Sequence, residues 1–260
     1  MAPGDFEPDT RLVSATHLSP NINDRRGVDR PSILILHYTG LPTVERAIEV
    51  LADPVCQVSC HYVIDENGRI TQMVPEDLRA WHAGVSYWQG HTDLNSMSVG
   101  IEIQNPGHDA GYPEFPDVQM DSVIALSKDI TQRHNMRPEH VLAHSDIAPQ
   151  RKNDPGEKFD WHRLYQAGIG HWVEPVPLVT DPAQNEASAT QSKALAFEFQ
   201  KLLRDYGYDC PIDGAIDDRM VKVTEAFQRH FRPARVDGHI DESSLQTLQK
   251  LHAVLGRRNF

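Results

Sequence analysis

The chain has 260 residues, a formal net charge of −12 and 24% charged residues, an ordinary balance for a globular protein of one large or two unequal domains. The acidic excess argues against a nucleic-acid partner, which needs clustered Lys and Arg, and no run approaches the roughly 18 apolar residues of a membrane span. The first thirty residues hold no apolar core typical of a secretory signal, and three cysteines do not make a disulfide scaffold; the expectation is a cytoplasmic protein, with the periplasm or cell envelope as the alternative had a signal been removed.

In chain order, SILILHYTG has four consecutive apolar residues, 33–36, as in a strand buried on both faces, and His37 follows where the strand leaves the sheet. Cys56 and Cys60-His61 have thiolate spacing but no second pair, so buried core residues are the expectation there. HYVIDENGRITQMV predicts two strands around a turn at Asp65–Gly68. WHAGVSYWQG (81–90) is rich in aromatics and glycine and reads either as a packed turn or as a groove wall. In MSVGIEIQN, Val99, Ile101 and Ile103 alternate with Ser98, Gly100 and Glu102, placing Glu102 opposite the aliphatics. Asp117 is a predicted N-cap for a helix with Met120, Val123, Ile124 and Ile130 on one stripe. VLAH (141–144) is a second short strand ending in a histidine. The stretch AHSDIAPQRKNDPG then holds His144, Lys152 and Asp154 on a loop that Pro149 and Pro155 keep from being helical throughout.

Residues 174–190, EPVPLVTDPAQNEASAT, carry three prolines and end in small polar residues, as in an interdomain linker. It separates a domain of residues 1–173 from one of residues 191–260. In the latter, three apolar stripes predict three helices: Leu195 to Tyr206, Met220 to Phe231 and Leu245 to Leu255. IDGAIDD (212–218) and VDGHIDE (236–242) repeat one pattern, an Asp-Gly turn followed by an aspartate that caps the next helix.

Two histidines and a carboxylate suit a zinc site that keeps a fourth position for water. His37, His144 and Asp154 are the candidates. Fourteen histidines and a 107-residue gap between His37 and His144 leave structural roles open for both. Glu102 is equally readable as a solvated strand residue, and Lys152 as a surface charge.

The order LHYTG, VSCHYVID, WHAGVSYWQG, SVGIEIQNPG and AHSDIAPQRKNDPG resembles the type 2 zinc-dependent N-acetylmuramoyl-L-alanine amidases, the AmpD and AmiD kind, from about Ser32 to Trp172. The C-terminal stretches LLRDYGYD, AFQRHFRP and VDG resemble a helical peptidoglycan-binding domain. The resemblance implies an α/β fold with a mixed central sheet flanked by helices, plus a small three-helix C-terminal domain. It implies one Zn2+ per chain on His37, His144 and Asp154, with Glu102 beside the reacting water and Lys152 stabilising the transition state. The implied substrate is peptidoglycan or a muropeptide, cut between the lactyl group of N-acetylmuramic acid and L-alanine. The alternative is a recognition module that binds without cutting.

One departure stands before His61, where some phage relatives carry a catalytic tyrosine and this chain has Cys60. Trp81, His82, Arg79 and Arg151 are candidate substrate contacts, the arginines because stem peptides carry carboxylates. Two modules for one polymer lead to a further expectation: deleting residues 190–260 spares cleavage of small muropeptides and weakens binding to insoluble wall. The sequence carries no signal for an oligomeric state.

Overall fold

A computed structural model describes residues 6–178 and 189–256. Its centre is β3 (Ile33–Tyr38), an apolar run with no polar residue before His37, buried on both faces as that pattern requires. It pairs in parallel with β7 (Ser98–Ile103) on one side and β8 (Val141–Ala143) on the other. Beyond β7 come β4 (Tyr62–Ile64), parallel to it, then β5 (Ile70–Gln72), antiparallel to β4 around the expected turn. β1 (Ala15–Thr16) completes the six-stranded order β1-β5-β4-β7-β3-β8. A separate two-stranded pair joins β2 (Ile22–Asp24) to β6 (Leu78–Ala80).

Helices cover both faces. α1 (Val44–Ala52) starts at Thr43, whose hydroxyl accepts the Arg46 N–H at 3.3 Å, and packs Leu51 with Cys60, Val63 and Met73. α3 (Asp117–Arg133) sends Met120, Val123, Leu126 and Ile130 into the larger core with Val99, Ile101 and Ile103. Its N-cap is Pro116 and not the expected Asp117, which occupies the first helical position. There the carboxylate still lies at the positive end of the helix dipole, and a proline is tolerated because no N–H is needed. α2 (Leu94–Met97) leads into β7, and α4 (His144–Ile147) and α5 (Trp161–Gln166) follow β8.

The three expected C-terminal helices are α6 (Ala189–Tyr206), α7 (Asp218–Phe231) and α8 (Glu242–Gly256). Asp217 accepts the Met220 N–H at 2.8 Å and Asp241 the Ser244 N–H at 2.7 Å, so both aspartates cap as the repeat predicts. A buried glutamine clamps each preceding turn. Gln200 Oε1 accepts the N–H groups of Asp213 and Gly214, and Gln228 Oε1 those of Asp237 and Gly238. Each amide nitrogen then donates to a carbonyl just beyond the turn, Ala215 or His239.

The helical region shares one continuous apolar core with the sheet region. Trp88 meets Tyr208 edge-on at 5.0 Å, and Trp161 stacks on His230 at 3.7 Å. Of the expected linker, residues 179–188 lie outside the described residues. Its first part is fastened to α8: Val176 N–H donates to Thr247 Oγ1 at 2.9 Å, and Ser243 Oγ donates to the Val176 carbonyl. No helix among the described residues is long and apolar enough to cross a membrane.

Candidate metal centre

β3 and β8 run parallel as neighbours, with Leu36 opposite Ala143, so their C-terminal ends release His37 and His144 side by side. His144 is the first residue of α4, one position beyond the strand end expected for it. The chain then turns through Pro149 and returns, and Ser145 N–H donates to the Asp154 carbonyl at 3.0 Å, which closes the loop onto its own start. Asp154 Oδ2 thereby lies 3.1 Å from His37 Nδ1 and 3.0 Å from His144 Nδ1, while the two Nδ1 atoms are 2.9 Å apart. All three residues are buried.

The protons in this cluster follow from hydrogen bonds that lead to carbonyls. Ser98 Oγ must donate to the Leu94 carbonyl, 2.5 Å away, so it accepts from His82 Nε2 at 3.2 Å. His82 Nδ1 is then bare and accepts from His37 Nε2 at 3.0 Å. His37 therefore presents an unprotonated Nδ1. His144 Nε2 lies 3.3 Å from the Ala83 carbonyl, and donating there leaves its Nδ1 bare as well. Two imidazole lone pairs and a carboxylate oxygen thus face one another about 3 Å apart, with no proton to share. A tetrahedral zinc with bonds of roughly 2.0–2.2 Å takes this donor set, and ligand histidines characteristically tie their other N–H to such partners. Among the described residues these three are the cluster able to hold a metal ion.

Residues 27–157 match the family model described as N-acetylmuramoyl-L-alanine amidase. The chain belongs to that family. A second model, described as a putative peptidoglycan binding domain, matches residues 194–248 of the amidase. The Escherichia coli N-acetylmuramoyl-L-alanine amidase AmiD is 40% identical over 224 residues, which is 82% of this chain and 79% of that one. The Enterobacter cloacae 1,6-anhydro-N-acetylmuramyl-L-alanine amidase AmpD is 34% identical over 59% of this chain and 90% of its own. Among solved structures, the complex of Escherichia coli AmiD with anhydro-N-acetylmuramic acid-L-Ala-D-gamma-Glu-L-Lys superposes with a TM-score of 0.73 at 35% identity, covering 90% of this chain and 93% of that one.

Charge in the amidase centre is set by burial. Burial, with the His144 ring beside it, pulls His37 down to about 4, which keeps it neutral and able to ligate. Glu102 pairs in register with His37 across β3 and β7, so both side chains leave the same face of the sheet. The residue keeps some exposed surface, but its Oε2 is buried and has no hydrogen-bond partner. Burial and then the Asp154 charge push this carboxyl well above the usual range, against an opposing pull from Lys152. Lys152 also bears electrostatically on His37.

The candidate substrate contacts divide. His82 is buried with both ring nitrogens engaged, by His37 and Ser98. Arg79 is likewise occupied, donating to Asp93 at 2.8 Å and to Asn23. Trp81 Nε1 donates to Asn23 Oδ1 at 2.9 Å and keeps part of its ring exposed. Arg151 is exposed at the wall of the centre, where it donates to the carbonyls of Ala83 and Val85 and lies 3.4 Å from His144 Nε2.

Sequence reasoning missed the support given by Ser98 and Gly100. A Cβ on Gly100 would stand 2.5 Å from His82 Nδ1, so only glycine admits that ring. Glycine inside the strand SVGIEI was the available signal. Cys60 is buried, its thiol donates to the Tyr62 carbonyl, and burial pushes it well above its ordinary pKa. It offers no acidic hydroxyl in place of the tyrosine. Cys56 is exposed and not the buried residue expected.

Proposed function

We propose that the amidase works with one Zn2+ held by His37, His144 and Asp154, on muropeptides of the anhydro-N-acetylmuramic acid class named in the AmiD complex. The observation that carries this reading is the convergence of His37 Nδ1, His144 Nδ1 and Asp154 Oδ2 to 2.9–3.1 Å from one another in a buried site. When bound, zinc would supply Lewis acidity toward the scissile carbonyl and let water act as a nucleophile near neutral pH.

The chain's own groups supply the rest. Glu102 takes the proton of the attacking water on its unpartnered Oε2 and returns it to the leaving L-alanine nitrogen. Its raised pKa suits a group that must hold that proton between the two transfers. Lys152 sets a positive charge against the oxyanion that develops as the carbonyl becomes tetrahedral. His82 and Ser98 hold the ring of His37, and the Ala83 carbonyl holds that of His144. Arg151 and Trp81 stand at the wall as contacts for peptide carboxylate and sugar. We assign the catalytic unit to residues 1–173, the joining segment to 174–190, and wall contact to residues 191–260.

Mass spectrometry of products from anhydro-muropeptides and from sacculi tests the reading, with protein as purified, stripped by chelator and reloaded with zinc. The expected product is a stem peptide with a free L-alanine amine, formed by loaded protein only and faster from the anhydro fragments. Cleavage by stripped protein, or none by loaded protein, overturns it. Preference for sacculi would place the enzyme's work on intact wall in the envelope instead of on recycled fragments.

A further inference from the structure

Asp146 lies two residues after the ligand His144, in the same helical turn, and its carboxylate is buried. Oδ2 accepts the N–H of Ala143, the residue from which β8 passes into α4, at 2.8 Å. The other donors come from the helical region. Tyr208 Oη donates to Oδ1 at 2.6 Å and His230 Nδ1 to Oδ2 at 2.7 Å, and both residues are buried. His230 is itself clamped between Trp161 at 3.7 Å and Phe231 at 3.9 Å, both stacked on its ring. A buried carboxylate deprived of such donors must find others or take up water, and either response moves the backbone that carries it.

Other contacts from the helical region fall on the same segments. Gln150 donates to the Arg219 carbonyl at 3.0 Å, Arg229 lies 3.6 Å from Glu157, and Gln89 N–H donates to the Gly207 carbonyl. Asp146 belongs to α4, and Gln150 and Glu157 to the segment that runs from α4 past Asp154.

We propose that Tyr208 and His230 are positioning residues for the metal centre: through Asp146 they fix the turn that carries His144. The helical region is then part of the amidase's working site as well as a candidate wall binder. The inference rests on the metal reading above, and the test separates the two.

In the full-length chain, Tyr208→Phe removes one oxygen and keeps the ring's packing. Zinc affinity is measured by competition with a chromogenic chelator, and amide exchange at residues 143–148 is measured in metal-free protein. Tyr208→Phe is expected to weaken zinc binding about tenfold, the low end for loss of an outer support, and to speed exchange of the Ala143 N–H by a similar factor. At saturating zinc, KM stays unchanged. His230→Leu behaves alike, while His230→Asn, which keeps a donor near the Nδ1 position, recovers most of the affinity. Gln150→Ala breaks a surface contact between the same two regions and leaves zinc affinity as it was. Wild-type affinity and exchange in Tyr208→Phe and His230→Leu overturn the proposal, as does an equal loss in Gln150→Ala. A wild-type chain that takes up no zinc defeats the metal reading, and the exchange at Ala143 still decides whether Tyr208 and His230 hold the turn.

Discussion

The sheet end and the helical repeat both bury polar side chains, and they treat them in opposite ways. Gln200 and Gln228 each close a turn by accepting two N–H groups and donating to a carbonyl, so their burial costs little and specifies the loop. At the ends of β3 and β8 three lone pairs point at one another, and the Glu102 oxygen beside them has no partner. Within a single core, the satisfied groups hold shape, and the unsatisfied ones are those to which the proposed chemistry is assigned.

The largest expected effect breaks that contrast at the sheet end. Asp154→Ala should abolish zinc uptake and muropeptide cleavage together, yet leave the metal-free protein at least as stable, because the carboxylate's burial is rewarded only when the metal is present. Metal content, turnover and urea unfolding measured on one preparation check this, and a large loss of metal-free stability would contradict it. Lys152→Ala separates binding from chemistry. It should keep zinc and lose on the order of 10²–10³ in kcat, the scale of one oxyanion donor.

How much of this was legible beforehand depends on how local the cause is. ILILH and VLAH announced buried strands, because parallel central strands are continuous apolar runs, although His37 still pairs within β3 and His144 already belongs to α4. His37, His144 and Asp154 were candidates from residue type alone, but a gap of 107 residues between the two histidines has no local physics, and the resemblance of the whole loop is what joined them. The contact of His82 with His37 was not legible because it depends on the space left by Gly100, and that contact forms only in the folded sheet. Asp146 lay in plain view beside His144, but its partners Tyr208 and His230 are 62 and 84 residues away. The packing of the helical region onto the sheet region was illegible for the same reason. Aromatic stripes predict that helices bury a face, not that Trp88 and Trp161 cover it.

A smaller effect tests the satisfied side. Gln200→Leu leaves the N–H groups of Asp213 and Gly214 without their acceptor and should cost about 2–4 kcal/mol of stability. Turnover per folded molecule should not change, since the clamp touches none of the loops around the metal. Urea unfolding and kcat on the same sample read both quantities, and a fall in kcat with stability intact would mean the clamp reaches the centre after all.

The smallest effect is graded by pH and again distinguishes the two regions. His61 is buried with Nδ1 accepting the Gly100 N–H at 3.0 Å and Nε2 3.2 Å from the Leu78 carbonyl, and burial, with Arg25 nearby, lowers it to about 3. His37 in the metal-free protein stands at about 4. Both titrate near 6.5 once unfolded. Between those values the unfolded chain binds more protons than the folded one, so stability falls as the solution is acidified below about pH 6.5. Each histidine contributes a slope approaching ~1.4 kcal/mol per pH unit, which ends once the pH passes below its folded value. His61→Asn retains an acceptor for Gly100 and removes one titration, so it should flatten the metal-free slope between pH 6 and 5 by about that amount. Zinc should flatten it further by holding His37 unprotonated in the folded state and adding its own binding free energy. Gln200→Leu should lower the whole stability curve without changing its slope. Parallel curves for wild type and His61→Asn would show that the acid sensitivity arises elsewhere than in these neutral rings.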